Sequence, residues 1–260
     1  MPELPEVERA RRALDRAASG RVLTRIRIIH PALRRQLSPA RAARLAGRRV
    51  VRVERRGKHQ LVHLDDGAVL HVHFRMTGDW HVGATSDEAP RHARALLELD
   101  DGTRVSLVDP RALSSITYHA PGDAVLPELG PEAGDAALNG AALGRALASR
   151  RVAVKPALLD QGVIAGLGNI YAAEALWRAK IHPATPAPEL TPAQLGRLVR
   201  AIRGVLGAAD ELPGRYTSGD PEGRLRVYGR EGEACSRCGA TIERIRQAGR
   251  STYFCPGCQR

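Results

Sequence analysis

The sequence predicts an α+β chain: an antiparallel sandwich or barrel, then a helical segment, then a small cysteine module. Three observations lead there. Seven short strand-like stretches crowd between residues 22 and 119, separated by turn signals. A Pro- and Gly-rich stretch at 121–135 ends them, and beyond it the apolar period becomes helical. Four cysteines close the chain as two Cys-x2-Cys pairs.

Each element follows from local pattern. Val7, Ala10, Ala13, Leu14 and Ala17 recur at helical spacing with Arg opposite, so residues 3–18 are predicted as a helix that Gly20 stops. Strands are predicted at 22–29, 49–56, 59–64, 68–74, 94–100, 104–109 and 114–119, with turns at Asp65-Asp66-Gly67, Thr77-Gly78 and Asp100-Asp101-Gly102. The segment 121–135 reads as a linker. Helices are predicted at 141–149, 155–160, 170–179 and 191–209, the last opened by Thr191 and Pro192. A loop of Gly, Pro and charged residues (210–227) leads to the cysteines, and there is no internal repeat.

Composition narrows the function. The 260 residues carry 40 Lys+Arg against 28 Asp+Glu, a net charge of +12, which favours a polyanionic partner. Residues 1–60 hold 17 basic and 5 acidic residues and residues 235–260 hold 5 and 1, so the positive field lies at the two ends. At 43% hydrophobic and 26% charged the chain is neither disordered nor fibrous. No apolar run approaches the ~20 residues that span a bilayer, and the start is too acidic and polar for a signal peptide. A soluble, cytoplasmic, monomeric protein is therefore expected, with no membrane partner. Aromatics are only 3%, which disfavours an aromatic stacking platform and with it an RNA-binding zinc-ribbon reading. Only Lys58, Lys155 and Lys180 are lysines, against 37 arginines, so each surviving lysine draws notice.

Two motifs carry chemistry. Cys235, Cys238, Cys255 and Cys258 have the spacing of a four-thiolate zinc site; with every position filled, one structural Zn2+ is expected. Arg246 and Arg250 flank a turn-like Gln-Ala-Gly between the pairs, suited to a phosphate or simply solvated. At the other end, removal of Met1 ahead of Pro2 leaves a secondary amine, nucleophilic near neutral pH, with Glu3 and Glu6 close enough to move protons. Acidic residues at a helix start also suit its dipole, and that reading stands beside the catalytic one.

Three segments bring in a family. MPELPEVE at the start, KPALLDQGVIAGLGNIYAAEALWRAKIHP (155–183) and VYGREGEACSRCGATIERIRQAGRSTYFCPGCQ (227–259) resemble the bacterial formamidopyrimidine-DNA glycosylase family, which includes endonuclease VIII. Leu4 is closer to the formamidopyrimidine branch. The resemblance implies an N-terminal catalytic β-sandwich domain with flanking helices (1–120), a linker (121–135), a helix-two-turns-helix domain (136–230) and a zinc-finger β-hairpin (231–260). It implies base excision repair of damaged double-stranded DNA on the nucleoid: glycosidase action on an oxidised base, then lyase scission by β,δ-elimination. Pro2 would form the Schiff base, Glu3 would protonate the deoxyribose ring oxygen, Glu6 would support the site's hydrogen bonds, and Lys58 matches the catalytic lysine. Arg250 and Asn169 would clamp phosphates, with Arg250 assisting the second elimination. Arg151 and Lys155 match basic positions, and His92 a DNA-contacting histidine.

The sequence departs from the family in two places. Met76 and Arg111 match two residues that enter the space left by the everted nucleotide, but Leu113 stands where the family has an aromatic wedge. An aliphatic wedge still unstacks a base step. The lid segment 212–226 is shorter than the family pattern, which weakens the expectation for 8-oxoguanine and admits formamidopyrimidines, oxidised pyrimidines or abasic sites. A non-catalytic damaged-DNA-binding protein is the other alternative, and retention of Pro2, Glu3 and Lys58 argues against it.

Overall fold

Helix, strand and loop positions come from a computed structural model that describes residues 2–210 and 225–260. The chain divides into two units, the first ending at Pro127 and the second beginning at Glu128.

The first unit opens with α1 (Leu4–Ala18), whose Val7, Ala10, Leu14 and Ala18 are buried at intervals of three and four while Arg12 and Arg16 are exposed. Then follow β1 (Leu23–Ile28), the one-turn helices α2 (Pro31–Arg34) and α3 (Pro39–Ala43), β2 (Val50–Arg56), β3 (His59–Leu64), β4 (Val69–His73), β5 (Asp79–Ala84), β6 (Ala93–Leu99), β7 (Thr103–Val108) and β8 (Ser115–His119). Proline leads both short helices, with the His30 and Ser38 side chains accepting at their starts. The strands form two antiparallel four-stranded sheets, ordered β1-β6-β7-β5 and β2-β3-β4-β8. One core joins them: Ile26, Leu97, Val105 and Leu107 from the first sheet, Val53, Val62, Leu70, Val72 and Ile116 from the second, and the buried face of α1. This is a sandwich.

Strand β5 has no counterpart among the stretches read from sequence. Asp79, His81 and Gly83 interrupt its apolar residues, and Trp80 is the side chain it buries deeply. That indole donates from Nε1 to Gln60 Oε1 at 2.9 Å, tying the first sheet to β3 of the second.

The second unit contains α4 (Gly140–Ala148), α5 (Val154–Leu158), α6 (Asn169–Ala179), α7 (Pro192–Asp210) and a hairpin of β9 (Glu243–Gln247) and β10 (Arg250–Phe254). Thr191 and Gln194 form a capping box at the start of α7: Gln194 N–H donates to Thr191 Oγ1 at 3.3 Å and Thr191 N–H to Gln194 Oε1 at 2.9 Å. Mid-α6, Glu174 accepts the backbone N–H groups of Arg226, Val227 and Tyr228, each at 2.9 Å, which seats the segment leading to the cysteines. Lys180 caps α6 in the left-handed conformation (φ 58°), a cation where the helix dipole favours one.

Candidate functional site

In the first unit, the N-terminal residues are built around the start of α1. Glu3 is the N-cap: its carboxylate accepts from the Glu6 backbone, and Glu6 Oε2 accepts the Glu3 N–H at 2.9 Å. Pro2, Glu3 and Glu6 are all buried, Glu3 with only 2% of its surface exposed. Capping and burial therefore fix two carboxylates at the start of the helix that Pro2 leads into. Lys58 follows Gly57 (φ 58°) in the turn between β2 and β3 and is 4% exposed, so this lysine is not a surface residue.

Beside Lys58 the sheet register gathers histidines. His59 pairs with His73 across β3 and β4, and its Nδ1 lies 2.7 Å from His71 Nε2. Thr117 Oγ1 then lies 3.0 Å from His119 Nε2. Burial, then the cations of Arg75 and Lys58, push His59 down to about 4. Burial, then His59 and His119, push His71 to about 4, and burial with His59 and Arg75 pushes His73 to about 3. His59, His71 and His73 are therefore neutral at pH 7.

The residues expected to enter the duplex sit on turns. After β4 the backbone reverses so that Gly78 N–H donates to Phe74 O at 3.1 Å; a Cβ at Gly78 would lie 2.9 Å from the Phe74 backbone, so only glycine fits. Arg75 (φ 54°) and Met76 occupy the exposed tip. Arg111 and Leu113 lie on the turn between β7 and β8, exposed, Leu113 at 45%. His92 is half-buried with φ 67°. Beneath these turns lies Asp109, fully buried. Burial pushes its carboxyl up, but hydrogen bonds from Thr77, Ser114 and Leu113 outweigh that and hold it below its ordinary value.

In the second unit a different network forms. Lys155 is 1% exposed, and its Nζ donates to Asn169 Oδ1 (2.6 Å), Thr252 Oγ1 (2.8 Å) and Ser251 O (3.0 Å). Asn169, the first residue of α6, donates from Nδ2 to Ser251 O at 3.1 Å. The ammonium expected at the DNA surface thus points inward and ties the start of α6 to the hairpin. Arg250 is exposed at the hairpin's turn and Arg151 is exposed just before α5. The loop into α6 is pinned by Gln161, which donates to Leu159 O (3.1 Å) and Leu167 O (3.0 Å) and accepts Gly166 N–H (3.0 Å).

The four cysteine Sγ atoms lie within 4.8 Å of one another, with Cys235 to Cys258 at 3.9 Å and Cys238 to Cys255 at 3.4 Å. Against this module Trp177 of α6 carries the Arg237 guanidinium 3.9 Å from its ring centroid, and Arg237 Nη1 donates to Trp177 O at 3.0 Å.

Family models match along the chain: the formamidopyrimidine-DNA glycosylase N-terminal domain over residues 1–116, its H2TH domain over 129–218, and the zinc finger found in FPG and IleRS over 232–260. Formamidopyrimidine-DNA glycosylases of Sphingopyxis alaskensis and Cereibacter sphaeroides are 43% and 41% identical, each covering 100% of both chains. The chain belongs to the formamidopyrimidine-DNA glycosylase family. Among solved members, a Lactococcus lactis enzyme bound to DNA containing an abasic site superposes with a TM-score of 0.90 at 32% identity, covering 99% of each chain. The same enzyme with Fapy-dG-containing DNA also gives 0.90, and a MutM complex with carbocyclic 8-oxo-G-containing DNA gives 0.89 at 33% identity.

Within this family fold the cysteine module is a zinc-binding site. Four thiolates around Zn2+ at ~2.3 Å stand ~3.8 Å apart, which the observed separations approach. Among the described residues, no other cluster of three or more His, Cys, Asp or Glu has its ligand atoms gathered so closely. The lid segment 212–226 falls almost wholly outside the described residues. Three features of this glycosylase-family chain escaped the sequence reading. Asp109 and Gln161 act through hydrogen bonds to loop backbone, which leaves no spacing signal; the histidines meet across strands, hinted at only by the His71-x-His73 alternation.

Proposed function

We infer that this protein is a bifunctional DNA glycosylase and abasic-site lyase of base excision repair, acting on oxidised bases in duplex DNA. The observation that carries the reading is the buried capping box at Glu3 and Glu6, which fixes two carboxylates at the start of the helix that Pro2 leads into. Once Met1 is removed, the Pro2 amine bonds to the deoxyribose C1′ as the damaged base leaves with the glycosidic electron pair and takes up the proton the amine gives up; Glu3 protonates O4′ as the C1′–O4′ bond breaks, which opens the sugar to an iminium. The resulting iminium draws electrons from the sugar. Loss of the C2′ proton expels the 3′ phosphate, and loss of the C4′ proton expels the 5′ phosphate. Lys58 serves as a buried cationic proton donor at this site, and Glu6 keeps Glu3 in place.

In the second unit, Asn169 and Arg250 clamp phosphates beside the lesion. Lys155 acts one step back, holding Asn169 and the hairpin backbone. Arg151 adds a peripheral phosphate contact, and the cysteines hold one structural Zn2+. Met76, Arg111 and Leu113 fill the gap left by the everted nucleotide, with His92 against the backbone. The domains divide as a catalytic sandwich to 120, a linker to 135, a helix-two-turns-helix domain to 230 and the zinc finger. The enzyme works as a monomer on nucleoid DNA in the cytoplasm; among the described residues no helix is long and apolar enough to cross a membrane.

A second reading concerns the substrate. Leu113 offers an aliphatic tip where stacking of an aromatic would test the base step. Formamidopyrimidines, oxidised pyrimidines and abasic sites are therefore preferred over 8-oxoguanine. Duplexes carrying each lesion opposite each base test both readings. Base release with phosphate at both new ends is expected, fastest for the non-8-oxoguanine lesions. Uncleaved DNA throughout overturns the enzyme assignment, and preference for 8-oxoguanine opposite cytosine overturns the specificity.

A further inference from the structure

We propose that Asp109 is the positioning residue that sets the tips entering the duplex, an inference resting on the reading of Met76, Arg111 and Leu113 as gap-filling residues. Asp109 has no exposed surface, yet it lies directly under two exposed turns. Its two oxygens divide the work. Oδ1 accepts the Thr77 hydroxyl, next to Met76, and the Arg111 N–H at 3.2 Å; Oδ2 accepts the N–H groups of Leu113 and Ser114, both at 2.7 Å. The Arg111 N–H also reaches Thr77 Oγ1 at 3.4 Å. The Asp109 backbone extends the node: its N–H donates to His92 O at 3.0 Å, and its carbonyl accepts Arg94 Nε at 2.6 Å. One residue therefore links the turns bearing Met76, His92, Arg111 and Leu113.

Only a carboxylate fits this node. Four donors converge on two oxygens, and an ionised carboxylate is acceptor-only at both. An amide would turn an NH2 against either the Thr77 side or the Leu113 side. The backbone also records the constraint. Three of the five non-glycine residues with positive φ among the described residues are Arg75, His92 and Ala112, one in each tied turn. Leu113 and Met76 are 45% and 38% exposed, so the protein's own apolar core does not hold them in place. The polar node beneath does, and a preset wedge avoids ordering two loops at the moment of base eversion.

The test separates steps by their need for eversion. With Asp109→Asn, single-turnover excision of a base-paired lesion should fall about 10²-fold through misplaced tips. Scission at a pre-formed abasic site should fall less than about threefold, since no base remains to be unstacked. Thr77→Val, which removes one donor, should show the same imbalance with a smaller loss; if Asp109→Asn fails to fold by thermal melting, this variant carries the test. Excision at the wild-type rate, or equal loss of excision and scission, overturns the inference. Leu113→Ala separates the premise: if it slows excision while Asp109→Asn does not, the positioning role alone is wrong. If neither slows excision, the gap-filling reading is wrong and the inference falls with it.

Discussion

Lys58 illustrates how much one residue type can disclose. In a chain with 37 arginines and three lysines, a buried lysine in a strand-to-strand turn marks a place where a compact, titratable amine matters. Lys58→Met keeps the volume and removes the charge. Single-turnover excision should slow about 10²-fold with the thermal midpoint nearly unchanged, as expected for loss of an acid–base group; a wild-type rate would remove Lys58 from the chemistry. Lys155 teaches the converse. The sequence pointed to it as a DNA-contacting cation, but its ammonium is committed to Asn169, Ser251 and Thr252. Truncating it to Met should strip three acceptors of their donor and destabilise the hairpin. The drop in thermal midpoint should exceed that of Arg151→Ala, whose side chain is exposed. Asp109 was illegible for a physical reason: its hydroxyl partner Thr77 lies 32 residues away, and its other donors are backbone.

At the scale of elements, periodicity served well where one face is buried and poorly where it is not. The start of α1 and the strands β2 to β4 follow their patterns because apolar alternation and helical spacing place a continuous face in the core. Strand β5 escaped because Gly83 and His81 dilute its pattern, although six residue pairs with β7 and the Trp80–Gln60 bond fix it. The hairpin of β9 and β10 was legible from the cysteine spacing, since a metal at its base replaces the core such a small element lacks. Chelation should therefore unfold it. A zinc chelator should change intrinsic tryptophan emission, because Trp177 packs under Arg237 of the first knuckle, and should abolish tight DNA binding. Emission that does not change would detach the metal from this packing. Within the hairpin, Arg250→Ala should weaken DNA binding and flatten its salt dependence by about one phosphate contact. An unchanged slope would take Arg250 out of the clamp.

For the whole molecule, the charge of +12 draws the enzyme to a polyanion, while the half-buried to buried histidines His59, His71 and His73 set its acid limit. His59, His71 and His73 titrate at about 4, 4 and 3 when folded, below the histidine value of 6.5. The unfolded chain thus takes up protons first as pH falls. The stability these groups contribute is complete above 6.5 and is lost progressively from there toward 4 and 3. The thermal midpoint should drop between pH 7 and pH 5, and His71→Asn should shallow the drop; a midpoint independent of pH would contradict the burial of the cluster. The central claim, however, is covalent. Borohydride reduction of the protein on duplex DNA containing an abasic site should trap a protein–DNA adduct whose DNA maps to the Pro2 nitrogen. The adduct should vanish with Pro2→Gly or when Met1 is retained. An adduct at a lysine, or one that persists in both variants, would contradict the account.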